Sequence, residues 1–272
     1  MKVSTLHTIA NGIARGRLAA AARRIDQALE SEPGPAWHRF LARLAIFLRD
    51  PSHEPFASIL TLGNDKLPFL SFSGLPGAAC PGAGDCLSFC YSFKSWRYPA
   101  AFARQAQNLV LIRKRPDLVA AAFDKYQDPI DFRLYVDGDF DSVATVNTWW
   151  EILGKVQHIK CYGYSKSFYE LLAADPAPPN YRLNLSSGHN HSAATVAKIA
   201  ALPMTRGHFI AVDIGRAVKS ADHGDRAHQA ELRAAFGGAC FTCPGRCGEC
   251  TPAGHACGSD KFKNVNIIIA AH

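Results

Sequence analysis

The sequence predicts an α/β fold: a partial (β/α)6 barrel of TIM-like winding, with an N-terminal helical appendage and a cysteine-rich, metal-binding C-terminal extension. Three observations lead there. Six short apolar segments read as strands: PFLSFSG (68–74), FRLYVD (132–137), IKCYGY (159–164), YRLNLS (181–186), HFIAVDI (208–214) and NVNIIIA (264–270). Helix-like segments separate most of them, as parallel strands joined by crossovers require. Polar or glycine residues close strand after strand (Ser73-Gly74, Asp137-Gly138-Asp139, Ser165, Ser186-Ser187, Asp213), and in barrel-like α/β folds that rim carries the active site. An open Rossmann-like sheet is the alternative.

The elements follow in chain order. Ile9, Ile13, Leu18, Ala21, Ile25 and Leu29 recur at roughly helical spacing and predict one helix, broken by SEPGP (31–35). AWHRFLARLAIFLRD predicts a second, ended by Pro51. Residues 1–60 thus form a basic helical appendage, 68–236 the barrel core, and 237–272 an extension that ends in the last barrel strand. Within the core, 99–113 and 116–126 read as helices, the latter with Pro116 in its first position. A further helix starts near Ser142 and runs through Val146, Trp149, Trp150 and Leu153; SFYELLAA and AATVAKIAAL supply two more.

Composition narrows the class. A chain of 272 residues with 48% hydrophobic and 19% charged residues is neither disordered nor fibrous. No apolar run approaches the roughly 20 residues of a membrane helix, and the start lacks a signal-type apolar stretch, so the expectation is a cytoplasmic protein with no membrane partner. Such a length buries about three quarters of its unfolded surface and needs no disulfide staples. The nine cysteines therefore call for another explanation.

Three of them lie in Cys80-Pro-Gly-Ala-Gly-Asp-Cys86-Leu-Ser-Phe-Cys90, a loop just after the first barrel strand. Three thiolates wrapped by one Pro/Gly-containing loop suit a polynuclear site, with a coordination position left for another ligand. A second group is Cys240-Phe-Thr-Cys243-Pro-Gly-Arg-Cys247-Gly-Glu-Cys250, followed by Cys257. Zinc ribbons place a longer loop between their cysteine pairs, so iron–sulfur ligation (one or two 4Fe–4S clusters) leads, with zinc as the alternative. Cys161 sits alone in a strand and reads as a core residue.

The rim residues supply further candidates. Asp137 and Asp139, with Asp141 beyond, are candidate catalytic carboxylates, able to hold hydroxyl or amino groups or to act as a base. Tyr91, Ser165, Lys166, Asn184 and Ser186 are candidate cofactor contacts, with Tyr164 and Ser187 beside them. His189, His191 and His255 are weighed as metal ligands, and His272, directly after the last apolar strand, as a rim residue. The net charge of +7 is concentrated in two places. Residues 1–50 hold eight basic and four acidic side chains. Residues 91–116 hold six basic side chains and no acid, interleaved at first with Tyr91, Phe93, Trp96, Tyr98 and Phe102. Lys94, Arg97, Arg113, Lys114 and Arg115 are accordingly the candidate contacts to nucleic acid or another anionic partner; the alternative is a helix with a basic outer face.

Three cysteines after strand one of a six-strand barrel resemble the radical S-adenosylmethionine enzymes. Phe89, directly before Cys90, matches the aromatic residue those enzymes carry there. The resemblance implies that Cys80, Cys86 and Cys90 hold three irons of a 4Fe–4S cluster, that S-adenosylmethionine chelates the fourth, that Phe89 lies against the cofactor, and that the tail holds an auxiliary cluster. The gaps differ, five and three here against three and two. A nearer resemblance is to the phage- and plasmid-borne gene product 88 family, carried by CPGAGDCLSFCYSFKSWRYPAAFARQAQN, RLYVDGDFDS, CYGYSKS, RLNLSS, the cysteine tail and KNVNIIIAAH. It spans about 70 to 272 and implies little about reaction. The expectation is an iron–sulfur protein acting as a radical S-adenosylmethionine-like enzyme. The alternative is a metal-stabilised nucleic-acid-binding protein without catalysis.

Overall fold

The structure is a computed structural model. It describes the chain apart from residues 32–33, 65–66, 217, 219–221, 247–249, 251–254 and 272 and the side chains of Asn64 and Phe89. Three helices open it: α1 (Val3–Ala14), α2 (Leu18–Leu29) and α3 (Pro35–Arg49). The periodicity across 9–29 predicts one helix, and two form. Gly16, at φ +71°, is the reason: it takes the left-handed conformation that ends α1. Gly16 N–H then donates to Ile13 O and Arg17 N–H to Gly12 O, the paired bonds of a Schellman stop.

The buried faces of these helices (Leu6, Ile9 and Ile13; Ala21 and Ile25; Leu41, Leu44 and Leu48) belong to one continuous core with Leu70, Phe132, Trp149 and Leu183 of the α/β body. Each fully buried aliphatic or Phe side chain contributes about 1.5–3 kcal/mol. The expected appendage is therefore built into the main core.

All six expected strands form: β2 (Leu67–Ser71), β3 (Ile130–Leu134), β4 (Ile159–Ser165), β5 (Tyr181–Ser186), β6 (Thr205–Val212) and β8 (Asn266–Ala270). They are parallel neighbours in chain order. Two short edge strands join them. β1 (Thr61–Asn64) runs antiparallel to β2, and β7 (Cys240–Thr242) runs parallel to β8 on its far side. Among the described residues the result is one eight-stranded sheet in the order β1-β2-β3-β4-β5-β6-β8-β7. A doubly wound sheet reverses direction at a switch point; the central strands here advance one way only. Among the described residues β1 and β7 are its edges, so the fold is mixed α/β on a mostly parallel eight-stranded sheet, and closure into a barrel is not shown.

Between the strands lie α4 (Ser92–Ser95), α5 (Pro99–Lys114), α6 (Pro116–Ala121), α7 (Val143–Lys155), α8 (Phe168–Ala173), α9 (Ala193–Ala200) and α10 (Arg226–Phe236). Ser142 starts α7 as expected, its hydroxyl accepting from Thr145 N–H. Strand side chains alternate. Leu70, Phe132, Leu134, Tyr181, Leu183 and Leu185 face the helices, and so does Cys161, which is buried in the core as expected.

The other face is filled in two tiers. At the end where the strands begin, Phe69, Tyr162 and Ile267 pack against Ala256 and Cys257 of the C-terminal segment. His255 lies within 5 Å of both the Phe69 and Tyr162 ring centres, and its Nε2 stands 3.3 Å from Asp131 Oδ2. Where the strands end, the next inward residues (Arg133, Tyr164, Ser186, Phe209, Ala211 and Ile269) are left around a cavity of about 350 Å³. The tail thus covers the part of this face where the strands begin and leaves the cavity where they end.

Candidate metal centre

The cavity is built from the ends of β3, β4, β5, β6 and β8 and roofed by the loop that follows β2. Cys80, Cys86 and Cys90 all line it, with Cys243 from beyond β7, and with Tyr91, Asp139, Lys166, Ser186 and Ser187. Backbone bonds fix the roof. Gly84 N–H donates to Gly188 O at 3.0 Å, Cys86 N–H to the same carbonyl at 3.3 Å, and Asn190 N–H to Gly82 O at 3.2 Å. Ala83 and His189 form an antiparallel bridge. Gly82 is required there: a Cβ would collide with the Lys166 carbonyl and stand 2.7 Å from His191 Nε2. His191 donates its Nε2–H to the Lys166 carbonyl at 2.6 Å and stacks on Phe168, 4.7 Å between ring centres. His189 and His191 thus brace the roof.

Burial pushes the Cys80 and Cys86 thiols up from their ordinary range, with the negative charge of Asp139 and Cys90 adding to it; the Lys166 ammonium pulls the other way. Thiols held in this way give up their protons when a cation or cluster takes them as ligands.

Lys166 spans the floor. Its Nζ donates to Ser186 Oγ at 2.8 Å, and its backbone N–H donates to Asp139 Oδ2 at 2.7 Å. Asp139 Oδ1 accepts from Ser165 Oγ at 2.6 Å and from Phe140 N–H at 2.8 Å. Burial raises this carboxyl, and those three bonds together with Lys166 oppose the rise. Arg133 lies over the Tyr164 ring at 4.7 Å, and Phe209 meets that ring edge-on.

The expected rim set divides. Asp139, Lys166, Ser186 and Tyr91 reach the cavity. The Tyr91 hydroxyl donates to Val136 O. Ser165 stands behind Asp139 and orients it, its Oγ also accepting from Ser167 N–H at 2.9 Å. Asp137 turns toward α5, where Gln105 Nε2 donates to it at 3.0 Å and the same glutamine accepts from Trp96 Nε1 at 2.8 Å. Burial raises Asp137 as well, against hydrogen bonds from Ser92 and Ser73. Asn184 sits in the lower tier: it donates to Gly163 O and Cys257 O and accepts from Arg206 Nε at 2.6 Å, clamping the tail. Neither Asp137 nor Asn184 lines the cavity. Phe89's side chain lies outside the described residues.

The tail cysteines also divide. Cys243 accepts from Gly245 N–H at 3.4 Å and Cys250 from Ala256 N–H at 3.2 Å, and both pack on the plug with Cys257. Cys240 packs with Leu232, Ile268 and Ala270 on the α10 side of the sheet. Cys247 and His272 lie outside the described residues. His255 has both ring nitrogens engaged, Nδ1 accepting from Gly258 N–H at 3.1 Å and Nε2 facing Asp131.

The basic stretch loses two of its candidates to the fold. Arg113 pairs with buried Asp141 and donates to Ile13 O and Ala14 O, tying α5 to α1. Arg115 pairs with Asp117 at 2.9 Å and donates to Ser52 O. Lys94, Arg97 and Lys114 are exposed. Arg133, absent from the expected set, is the main addition; its signal was a cation set between Phe132 and Leu134, on the opposite face of a strand.

Among the described residues, no three His, Cys, Asp or Glu side chains stand as a group able to hold a metal ion. A family model described as gene product 88 matches residues 50–230. The chain belongs to the gene product 88 family. No curated protein and no solved structure matches it. The family stretch takes in the three roof cysteines, Asp139, Lys166 and Ser186. It stops short of the cysteine tail, which the resemblance in sequence had included, and it leaves α1 to α3 outside. Membership carries no support for a radical S-adenosylmethionine reaction. Among the described residues, no helix is long and apolar enough to cross a membrane.

Proposed function

We propose that the roof loop is the ligand loop of an iron–sulfur cluster and that the protein is a radical S-adenosylmethionine-like enzyme. One observation carries the reading: Cys80, Cys86 and Cys90 open into a single cavity at the ends of the parallel strands, where such folds place their chemistry. The donor set fits the group. Three soft thiols with no carboxylate or imidazole among them suit iron–sulfide or zinc. Three closely spaced thiols carried by one Pro/Gly-containing loop and sharing one cavity favour the cluster over zinc.

Cys80, Cys86 and Cys90 would hold the cluster, which supplies one-electron reducing power when bound. The chain's own residues do the rest. Lys166 and Ser186 present an ammonium and a hydroxyl to the anionic end of a second ligand such as S-adenosylmethionine. Asp139, held by Ser165 and the Lys166 amide, offers a carboxyl that burial makes more basic than usual. Tyr164 and Phe209 supply an aromatic wall to the cavity. Cys243 and Cys250, each accepting a backbone N–H, are the best-prepared tail ligands for an auxiliary site.

The test is anaerobic purification with iron, sulfide and zinc analysis, followed by dithionite and S-adenosylmethionine. Brown protein whose iron falls on Cys86→Ser supports the cluster, and cleavage of S-adenosylmethionine supports the enzyme. Colourless protein holding only zinc refutes the cluster; iron without cleavage refutes the radical reaction.

A further inference from the structure

A second concavity, sharing no lining residue with the first, lies on the N-terminal helices. Thr8, Asn11, Gly12, Arg15, Arg17, Ala20, Ala21 and Arg24 surround a groove of about 470 Å³ between α1 and α2. We infer that this groove is a binding surface for the phosphodiester backbone of a nucleic acid.

The charge is concentrated and unneutralised. Arg15, Arg17 and Arg24 are all exposed, and none makes an ion pair among the described residues. Arg24 has a neutral neighbour, donating to Gln27 at 3.1 Å. No acid occurs before Asp26, whose carboxylate is taken by Arg49. The arginines converge because of the tight stop at Gly16, which folds α2 back beside α1; one continuous helix would have spread them along and around its axis. The buried faces of both helices are anchored in the main core, so the groove is a preformed surface.

The lining selects among polyanions. Apart from Ala20 and Ala21 it is Thr, Asn, Gly and Arg, with no large apolar side chain. A protein partner's interface needs an apolar core, and a membrane surface needs apolar groups that insert; the groove offers neither. A small phosphate ester needs an enclosing pocket with buried polar groups, whereas these cations stand on an open face. An extended backbone with a phosphate at every step fits, each arginine forking onto phosphate oxygens. The surface lies outside the family stretch of 50–230 and is independent of any metal.

The experiment uses full-length protein and a fluorescein-labelled, mixed-sequence 20-base-pair DNA duplex, with its single strand in parallel, titrated from 0.05 to 0.3 M salt. Wild type should bind at low salt with little sequence preference. The Arg15→Ala/Arg17→Ala/Arg24→Ala variant should flatten the slope of log K against log salt by about 2 to 3, roughly 0.9 per lost phosphate contact. Lysine at all three positions should retain most of the slope. An unchanged melting temperature and iron content in the alanine variant separates this result from the fate of the cluster. No binding at 0.05 M salt, an unchanged slope in the alanine variant, or a slope lost instead on Lys94→Ala/Arg97→Ala/Lys114→Ala would each overturn the inference. Displacement of the duplex by equimolar tripolyphosphate would overturn it too, by showing a small-anion site.

Discussion

The roof loop and the tail both hold closely spaced cysteines, yet the fold treats them differently. Cys80, Cys86 and Cys90 are carried on backbone stapled to residues 188–190, and all three reach one cavity. Among the described tail residues only Cys243 reaches that cavity. Cys250 and Cys257 pack on the plug, and Cys240 faces the opposite side of the sheet. Spacing nominates a thiol as a ligand; the strand face from which it departs decides whether it meets a cavity or a core. The difference also concerns what holds each region: the roof by main-chain bonds around Gly82, the tail by buried side chains, Asn184 and Arg206.

Arg206 gives the largest handle. It is 1% exposed and donates to Asn184 Oδ1, Phe262 O, Val265 O and His208 O, with burial pulling its basicity down. Arg206→Ala strands those acceptors and should cost about 3 kcal/mol in urea denaturation. It should expose Cys250 and Cys257 to thiol reagents while the roof thiols keep their wild-type labelling rates. Equal acceleration in both regions would show that roof and tail are one cooperative unit.

Gly82→Ala breaks the other side. The methyl group must displace the Lys166 carbonyl or the loop, at about 2 kcal/mol, and should lower roof-bound iron while leaving labelling of the tail cysteines unchanged. Retention of wild-type stability and iron would mean that the loop is not pinned there.

Asp139→Asn is the finer probe. An amide side chain cannot accept all three hydrogen bonds, so a loss of about 1–2 kcal/mol is expected at neutral pH. The pH dependence has a definite sign. Asp139's folded-state value lies above its ordinary 3.8, so the folded chain binds its proton more tightly. The stability this gives is fully present below pH 3.8 and is lost as pH rises through the folded value. The Asn variant should lack that fall, so the gap between the two stability curves should be widest in acid and narrow to the neutral-pH difference as pH rises through the folded value. Parallel curves would remove Asp139 as a buried titrating group.

Six strands and most helices could be read from sequence because each carries its own signal: a β-rich run closed by polar residues, or a capped helical period. Short elements gave less. β1 and β7, four and three residues long, have too few positions to show alternation. α10 was missed although Asp225 caps it, accepting from Ala227 and His228 N–H, and Gly237 ends it at φ +70°. The split between α1 and α2 rests on one glycine inside an otherwise continuous apolar period. The site was partly readable. Lys166 and Ser186 follow from the rim pattern, and Asp139 from the loop after β3. Asn184 and Asp137 share that pattern and fail, because the tail fills the lower tier and α5 draws Asp137 away. Neither event has a local signature, since each depends on segments distant in sequence.

The most direct measurement is iron and acid-labile sulfide per chain after anaerobic purification, in wild type, Cys86→Ser and Cys240→Ser. Iron and sulfide in near-equal amounts, reduced in Cys86→Ser and retained in Cys240→Ser, is the predicted result. Zinc in place of iron, or an iron content that falls with Cys240 and not with Cys86, would contradict a roof-loop cluster.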